Sequence, residues 1–126
     1  MSYLFDTNIV IYYFNGLTAD DALHQVLAGS FNISVITKIE FLGWSEFASD
    51  PRLYNQARAF IGHARVHELS AEIVEQTIRL RQHFRTKTPD AIIAATALLN
   101  DLTVVTHNTS DFARLGLNTR TVTMKP

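Results

Sequence analysis

The sequence predicts an α/β domain built on a central, mainly parallel β-sheet. Short β-type runs alternate with longer helical segments along the chain, and no internal repeat, low-complexity run or linker rich in Gly, Pro or Ser interrupts them. A length of 126 residues fits one domain, and a hydrophobic content of 47% is sufficient for a core. We therefore expect residues 1–126 to form a single domain.

The chain begins with a short strand and two helices. Residues 3–5 are apolar and predict the strand. Residues 8–14 are apolar on nearly every side, so this predicted helix is either buried or covered by a partner, and Asn15-Gly16 ends it. Residues 20–27 predict the second helix, which Gly29 ends.

The middle of the chain predicts a strand followed by two helices. Residues 31–35 alternate between apolar and polar side chains as a strand does. Thr37 begins a helix that continues to about Ala48. Asp50-Pro51 combines an N-cap residue with proline at the first helical position, and it begins a helix that runs to about residue 64.

The last part of the chain contains the remaining strands and two long helices. A short strand over residues 66–69 precedes a helix over residues 70–84. Thr88 caps a further helix over residues 88–99, which has Pro89 at its first position. Two final strands are expected over residues 102–106 and 121–124.

Composition excludes several classes of protein. The sequence contains no cysteine, so disulfide frameworks and thiolate metal sites are excluded. It has no stretch of about 18 uninterrupted apolar residues, which a membrane-spanning helix needs. The first residues contain an acid and have no Lys or Arg ahead of the apolar run, unlike a secretory signal. We expect a soluble, cytoplasmic protein.

Four of the twelve acidic residues lie where predicted strands end or helices begin. Asp6 follows the first strand, Glu40 lies in the first turn of the helix after the second strand, Asp90 begins an apolar helix, and Asp111 follows the fourth strand. Ligands of open α/β sheets bind beyond the carboxyl ends of the strands. We therefore expect these four side chains to meet at one edge of the sheet.

Structural explanations compete with this interpretation at three of the four acids. Asp6 or Asn8 suits a helix N-cap, Thr37 and Glu40 match a capping box, and Asp111 suits the start of a short helix. Asp90 differs because its helix is apolar for three turns. An acid at the amino end of such a buried helix is paired, solvated in a cleft or bound to a metal.

Carboxylates that crowd into one cleft stay ionised only when cations neutralise them. Ligand sets made entirely of oxygen suit Mg²⁺ or Mn²⁺, which retain several waters and bind phosphate oxygens. Two such ions about 3.5–4 Å apart activate a water and stabilise the leaving oxygen of a phosphodiester. The residues alone therefore predict an acidic metal site.

Four segments carry a resemblance to a known family. Phe5-Asp6-Thr7-Asn8 and residues 37–41, 88–97 and 105–112 resemble the four signatures of PIN domains, in the family's order and spacing, over essentially the whole chain. The VapC-type toxins of bacterial and archaeal toxin–antitoxin pairs are the group they resemble most. The resemblance implies a three-layer α/β/α domain that acts as a Mg²⁺- or Mn²⁺-dependent endoribonuclease with one or two ions.

The resemblance also implies roles for residues. Asp6, Glu40 and Asp90 match the core catalytic and metal-binding acids, and Asp111 matches a more variable fourth acid. Some members carry an acid where Asn108 stands, so Asn108 competes with Asp111 as the fourth ligand. The supporting polar residues are Thr7, Asn8, Thr106 and Asn108. Hydrolysis by metal-activated water is implied, leaving 5′-phosphate and 3′-hydroxyl ends.

Partners are implied by the same resemblance. VapC-type proteins form homodimers and are held inactive by a cognate VapB-type antitoxin encoded beside them. The helix over residues 9–14 and the side chains of Phe41, Trp44 and Phe47 are candidates for these contacts, although core packing explains most of them. No membrane partner is expected.

A basic segment precedes Asp90. Residues 79–87 hold four of the eleven basic side chains and no acid. We expect the phosphates of an RNA substrate, whether tRNA, rRNA or mRNA, to be bound by Arg79, Arg81, Arg85, Lys87 and, beside Glu40, Lys38. The solvated face of a helix is the alternative explanation.

Other functions compete with this hypothesis. A metal-free ribonuclease would use His63, His67 or His107, and a phosphatase or receiver domain would use Asp6 as phosphate acceptor, although Asn8 stands where a second acid is expected. A non-catalytic nucleic-acid-binding module and a PIN-fold nuclease with a non-toxin role in RNA processing are two further alternatives.

Overall fold

The computed structural model describes residues 2–126 and contains one five-stranded sheet. The strands lie in the order β3-β2-β1-β4-β5, and every neighbouring pair is parallel. They are β1 (Tyr3–Phe5), β2 (Asn32–Ser34), β3 (Arg65–His67), β4 (Thr103–Val105) and β5 (Thr119–Arg120). Because the order reverses between β1 and β4, a topological switch point lies at the centre of the sheet.

Within residues 2–126, seven α-helices and one short 3₁₀ helix connect these strands. The α-helices are α1 (Thr7–Phe14), α2 (Leu23–Gly29), α3 (Val35–Leu42), α4 (Pro51–Ile61), α5 (Ala71–His83), α6 (Thr88–Asn100) and α7 (Thr109–Ala113). The 3₁₀ helix spans Ser45–Ala48, between α3 and α4. Among these residues, no helix has the length and hydrophobicity needed to cross a membrane.

Hydrophobic clusters cover both faces of the sheet. On one face, Leu4 and Val104 pack in a cluster with residues of α5, α6 and α7. On the other face, Phe5 and Val105 pack with residues of α1 to α4. Successive strand residues thus supply opposite cores, as the period of two in a strand requires. The predicted three-layer α/β/α architecture with a mainly parallel sheet is confirmed.

The helix predicted from Thr37 to Ala48 is shorter and begins earlier. Ser34 is its N-cap, because the Ser34 hydroxyl oxygen accepts a hydrogen bond of 3.1 Å from the Ile36 N–H. The helix ends at Gly43, where a Cβ atom would lie 2.7 Å from the Ile39 carbonyl oxygen. The capping box that competed as an explanation for Thr37 and Glu40 is excluded, since Thr37 already lies inside the helix.

The final strand was also predicted in the wrong place. The strand that pairs with β4 is Thr119–Arg120, whereas residues 121–124 were expected to form it. Met124 instead makes an isolated antiparallel bridge with Thr18. The chain turns away from the sheet here because Ala19 donates to the Thr123 carbonyl and Lys125 to that of Leu17.

Two helix starts differ from the prediction. Helix α2 begins at Leu23 and not at Asp20, because the Asp20 carboxylate accepts from the Ala22 N–H and forms an ion pair with Arg120. In α6 the N-cap is Lys87, so Thr88 and Pro89 are the first two helical residues and Asp90 the third. The carboxyl of Asp90 still lies in the first turn.

Candidate active site

Asp6 lies at the switch point of the sheet. It follows β1, and its N–H donates to the Val105 carbonyl at the end of β4. It stands at the N-cap position of α1, but its side chain caps nothing. Oδ2 instead accepts a hydrogen bond of 2.9 Å from the Thr106 hydroxyl, and the residue is only 5% exposed. The N-cap interpretation of the Asp6 side chain is therefore excluded.

Glu40 is held by a short chain of hydroxyl groups. The Thr7 hydroxyl donates to Oε1 of Glu40 over 2.7 Å, and the hydroxyl oxygens of Thr7 and Thr37 lie 2.9 Å apart. Because Thr7 has one hydroxyl proton and gives it to Glu40, Thr37 is the donor in the second bond. Thr37 is fully buried, so this arrangement fixes where Glu40 enters the cleft from α3.

Asp90 reaches the same edge of the sheet from α6, which packs on the face opposite α3. Helix α6 is buried over residues 91–97 against the sheet and α5, so its amino end is fixed in position. Its first turn contains one acid, Asp90, which is partly buried. The buried part of α6 thus holds the Asp90 carboxylate at the edge of the sheet.

Asp111 and Asn108 follow the end of β4. Asn108 is the N-cap residue of α7, and Asp111 lies in the first turn of that helix. The Asn108 N–H donates to the Thr106 hydroxyl over 2.9 Å, and that hydroxyl in turn donates to Asp6. Thr106 therefore connects the loop that bears Asn108 to the buried acid of β1.

These side chains line one open cavity of about 660 Å³. The four predicted acids and the amides of Asn8 and Asn108 are all in its wall, whereas Thr7 and Thr106 lie behind it and bond to the acids. The other lining residues are Arg81, Arg85, Thr86, Lys87, Pro89 and Arg114. The structure thus brings together acids that are up to 105 positions apart in the sequence, Asp6 and Asp111 being the most distant pair.

The crowding of carboxylates changes their proton affinity. Burial raises the pKa of the Asp6 carboxyl from 3.8 to about 6, the Thr106 hydrogen bond opposes this, and the charges of Asp90 and Glu40 add to it. The pKa of Asp90 is also raised, first by burial and then by Glu40 and Asp111, while Lys87 opposes the shift. Mutual repulsion therefore connects all four acids electrostatically.

The donor set of this cavity suits a hard divalent cation. Every acidic or amide ligand candidate offers oxygen, and a cation would relieve the repulsion that raises the pKa of Asp6 and Asp90. Within residues 2–126, no three His, Asp or Glu side chains stand close enough to enclose one ion directly. Mg²⁺ fits such a wider cluster because it keeps several waters and takes few carboxylates.

Basic side chains form the other part of the wall. Of the five predicted RNA-binding residues, Arg81, Arg85 and Lys87 line the cavity, and Lys38 and Arg79 do not. Arg79 donates twice to the Gln76 side chain instead. Arg114, which sequence reasoning missed, lines the cavity and donates to the Arg85 carbonyl. Its only sequence signal is its position one helical turn after Asp111.

The histidines do not line the acidic cavity. None of the residues lining the acidic cavity is a histidine, and His63 and His67 line a different cavity near the amino ends of the strands. His107 is exposed beside the site but does not line it. The described lining of the acidic cavity therefore contains no histidine that could act as the general base of a metal-free ribonuclease.

The sequence profile of the PIN domain family matches residues 3–117. The chain belongs to this family. The match contains all four acids, so the acidic cavity lies within the PIN domain. A comparison with curated proteins gives no match.

Solved structures with this PIN fold include toxin–antitoxin complexes. One from Klebsiella pneumoniae is 36% identical, with 89% of this chain and 91% of that chain covered and a TM-score of 0.71. The DNA-bound VapBC of Salmonella typhimurium is 21% identical (96% and 98% covered, TM-score 0.83). VapBC2 of Rickettsia felis, bound to a promoter DNA fragment, is 23% identical (97% and 99% covered, TM-score 0.80). The last two likenesses show the fold.

Proposed function

We propose that this PIN domain is a Mg²⁺- or Mn²⁺-dependent endoribonuclease and the toxin of a VapBC-type toxin–antitoxin pair. The observation that supports it best is the convergence of Asp6, Glu40, Asp90 and Asp111 from four separate elements on one cavity that basic side chains also line. Carboxylates that repel one another lower the stability of the folded protein, so their convergence suggests a functional site. The 36% identity to a toxin–antitoxin complex supports the toxin assignment.

Each group of the cavity has a part in this proposal. Asp6, Glu40 and Asp90 would hold the cation, in part through waters that it retains, with Asp111 or Asn108 as a fourth group, and Thr7, Thr37 and Thr106 orient these side chains. When bound, the cation supplies activation of a water and neutralisation of charge on the phosphodiester.

The basic wall has a complementary part. Arg81, Arg85, Lys87 and Arg114, which line the same cavity as the acids, hold the phosphates that flank the scissile bond. Since water and not the ribose 2′-hydroxyl is the nucleophile, the products carry 5′-phosphate and 3′-hydroxyl ends.

Helix α3 and the residues after it present two exposed apolar side chains that an antitoxin could contact. Ile39, next to Glu40, is 61% exposed and Trp44 is 41% exposed, whereas Phe41 and Phe47 are buried in the core and are excluded as contacts. In this proposal the protein forms a homodimer and its substrate is RNA.

Expression of the wild type and of Asp90→Asn in growing cells tests the proposed function. We expect the wild type to arrest growth and to generate new RNA 5′-phosphate ends, which sequencing of 5′ ends detects, and Asp90→Asn to do neither. The matched control is Asp21→Asn, an exposed acid in a turn that does not line the cavity. Arrest by Asp90→Asn would favour a non-catalytic nucleic-acid-binding module. New ends without growth arrest would favour an RNA-processing role.

A further inference from the structure

A second polar cavity, of about 470 Å³, lies at the opposite edge of the sheet. Its wall is formed by the loop between α2 and β2, the start of β3 and the carboxyl end of α6. The acids follow the carboxyl ends of strands, whereas this cavity lies at their amino ends. It shares no lining residue with the acidic cavity, so it needs a separate explanation.

The lining of this cavity is basic. His63, Arg65 and His67 lie in it, and no Asp or Glu is among its described lining residues. Within residues 2–126, the side chains of Arg65 and His63 take part in no ion pair or hydrogen bond, and both residues are exposed. A guanidinium without a carboxylate partner is available for an anion from solution.

A hydrogen-bond network beneath Arg65 leaves a donor without an acceptor. The Asn32 amide nitrogen donates to the Tyr3 carbonyl over 3.0 Å and to Oγ of Ser30 over 3.1 Å, so Oδ1 of Asn32 is the acceptor of the 3.0 Å bond with Nε2 of His67. Oγ of Ser30 also accepts from the Tyr3 N–H over 2.9 Å. The hydroxyl proton of Ser30 therefore finds no acceptor among residues 2–126.

The electrostatic field of the cavity disfavours a cation. Burial lowers the pKa of His67, and the positive charge of Arg65 lowers it further. A cation would meet the same repulsion, and Nε2 of His67 already carries a proton that it donates to Asn32. An anion would be attracted by the same charge.

We propose that this cavity is a phosphate-binding site in which Arg65 is the charged partner and Ser30 and His63 are hydrogen-bond donors. A phosphate group matches these residues because it offers several acceptor oxygens, two of which suit the fork of a guanidinium. Pockets of about 300–1,000 Å³ hold nucleotide-sized ligands, and this volume lies in that range. The phosphate belongs either to a free nucleotide or to a nucleic-acid backbone. The site goes beyond the proposed nuclease function and does not depend on it.

Amide NMR of the full chain, titrated with inorganic phosphate at constant ionic strength in EDTA, tests the proposal. We expect saturable shifts at Ser30, Asn32, Arg65 and His67. Loss of a charged hydrogen-bond partner in Arg65→Gln should weaken binding by about tenfold. Arg52→Gln, an exposed arginine at the other end of α4, should leave binding unchanged.

Two outcomes would overturn the proposal. One is the absence of saturable shifts at these amides, including the case in which phosphate shifts only residues of the acidic cavity. The other is an equal affinity of Arg65→Gln and Arg52→Gln. If Arg65→Gln does not fold, it is replaced by His63→Asn, which leaves Arg65 of β3 in place. The expected loss of phosphate affinity is then smaller.

A second titration distinguishes the sources of the phosphate. A nucleoside 5′-monophosphate and a single-stranded RNA oligonucleotide are compared as competitors of inorganic phosphate, again in EDTA. Stronger competition by the oligonucleotide supports a backbone phosphate, and stronger competition by the mononucleotide supports a free nucleotide. Failure of both to compete would contradict a phosphate site. None of these outcomes depends on RNA cleavage.

Discussion

The Asp6 carboxyl opposes the stability of the metal-free fold. Its pKa of about 6 in the folded protein exceeds the value of 3.8 for a free side chain, so the folded state binds more protons than the unfolded state between these two values. The free energy of unfolding therefore falls as the pH rises from about 4 to about 6, and it stays lower at neutral pH. A bound cation would compensate for this loss.

Asp6→Asn should accordingly raise stability while it abolishes cleavage. Because Asp6 is 5% exposed, we expect the free energy of unfolding of the metal-free protein at pH 7.5 to rise by about 1–2 kcal/mol. Urea unfolding at pH 4 and pH 7.5 measures it, and the gain should be absent at pH 4. Mg²⁺ should stabilise the wild type and not the variant. A loss of stability at pH 7.5 would contradict this account.

Thr37 is expected to act through Thr7 on Glu40. Thr37→Val removes the donor that fixes the Thr7 hydroxyl and keeps the buried shape. We expect the Mg²⁺ concentration for half-maximal cleavage to rise by about tenfold, the lower range for loss of a ligand's hydrogen-bond partner. Thr96→Val is the matched control, since that buried hydroxyl bonds only to the Ile92 carbonyl of its own helix. Equal Mg²⁺ dependence of the two variants would refute the positioning role.

Among the elements, α3 shows both what hydrophobic patterns predict and where they fail. Its apolar residues predicted a helix, but Glu40, which was expected in the first turn, is the sixth residue of that helix. The start was wrong because Ser34 and Thr37 are both good N-cap residues, and only the end of β2 selects Ser34. The end was wrong because the apolar pattern continues through Trp44 and Phe47, while the close approach of Gly43 to the Ile39 carbonyl is not visible in the sequence.

The basic segment over residues 79–87 divides into residues that line the acidic cavity and residues that do not. Arg85 lines the acidic cavity, whereas Arg79 is bonded to Gln76 on α5. We expect Arg85→Gln to raise KM for RNA several-fold and to reduce the slope of log affinity against log salt concentration by about 1, as loss of one phosphate contact does. Arg79→Gln is the matched control. The same slope change in both variants would show that the whole segment binds RNA.

For the whole molecule, the convergence of the acids could be predicted because it follows from topology. In a parallel sheet, residues that follow strands share one edge, so Asp6 and Glu40 were expected together before any contact was known. Thr7 and Thr106 were expected beside the acids only through the resemblance to PIN domains, and Thr37 and Arg114 were not expected there. Their roles depend on distances between elements that no local pattern encodes, such as the 2.9 Å between the hydroxyl oxygens of Thr7 and Thr37.

The central claim is that the four converging carboxylates bind a divalent cation, and calorimetric titration with Mn²⁺ tests it most directly. The wild type, Asp90→Asn and Asp21→Asn are compared at pH 7.5. The account predicts saturable Mn²⁺ binding by the wild type and by Asp21→Asn. The affinity of Asp90→Asn for Mn²⁺ should be at least about tenfold lower, because this variant offers the cation one carboxylate fewer. Equal binding by all three proteins, or no binding by any, would contradict it.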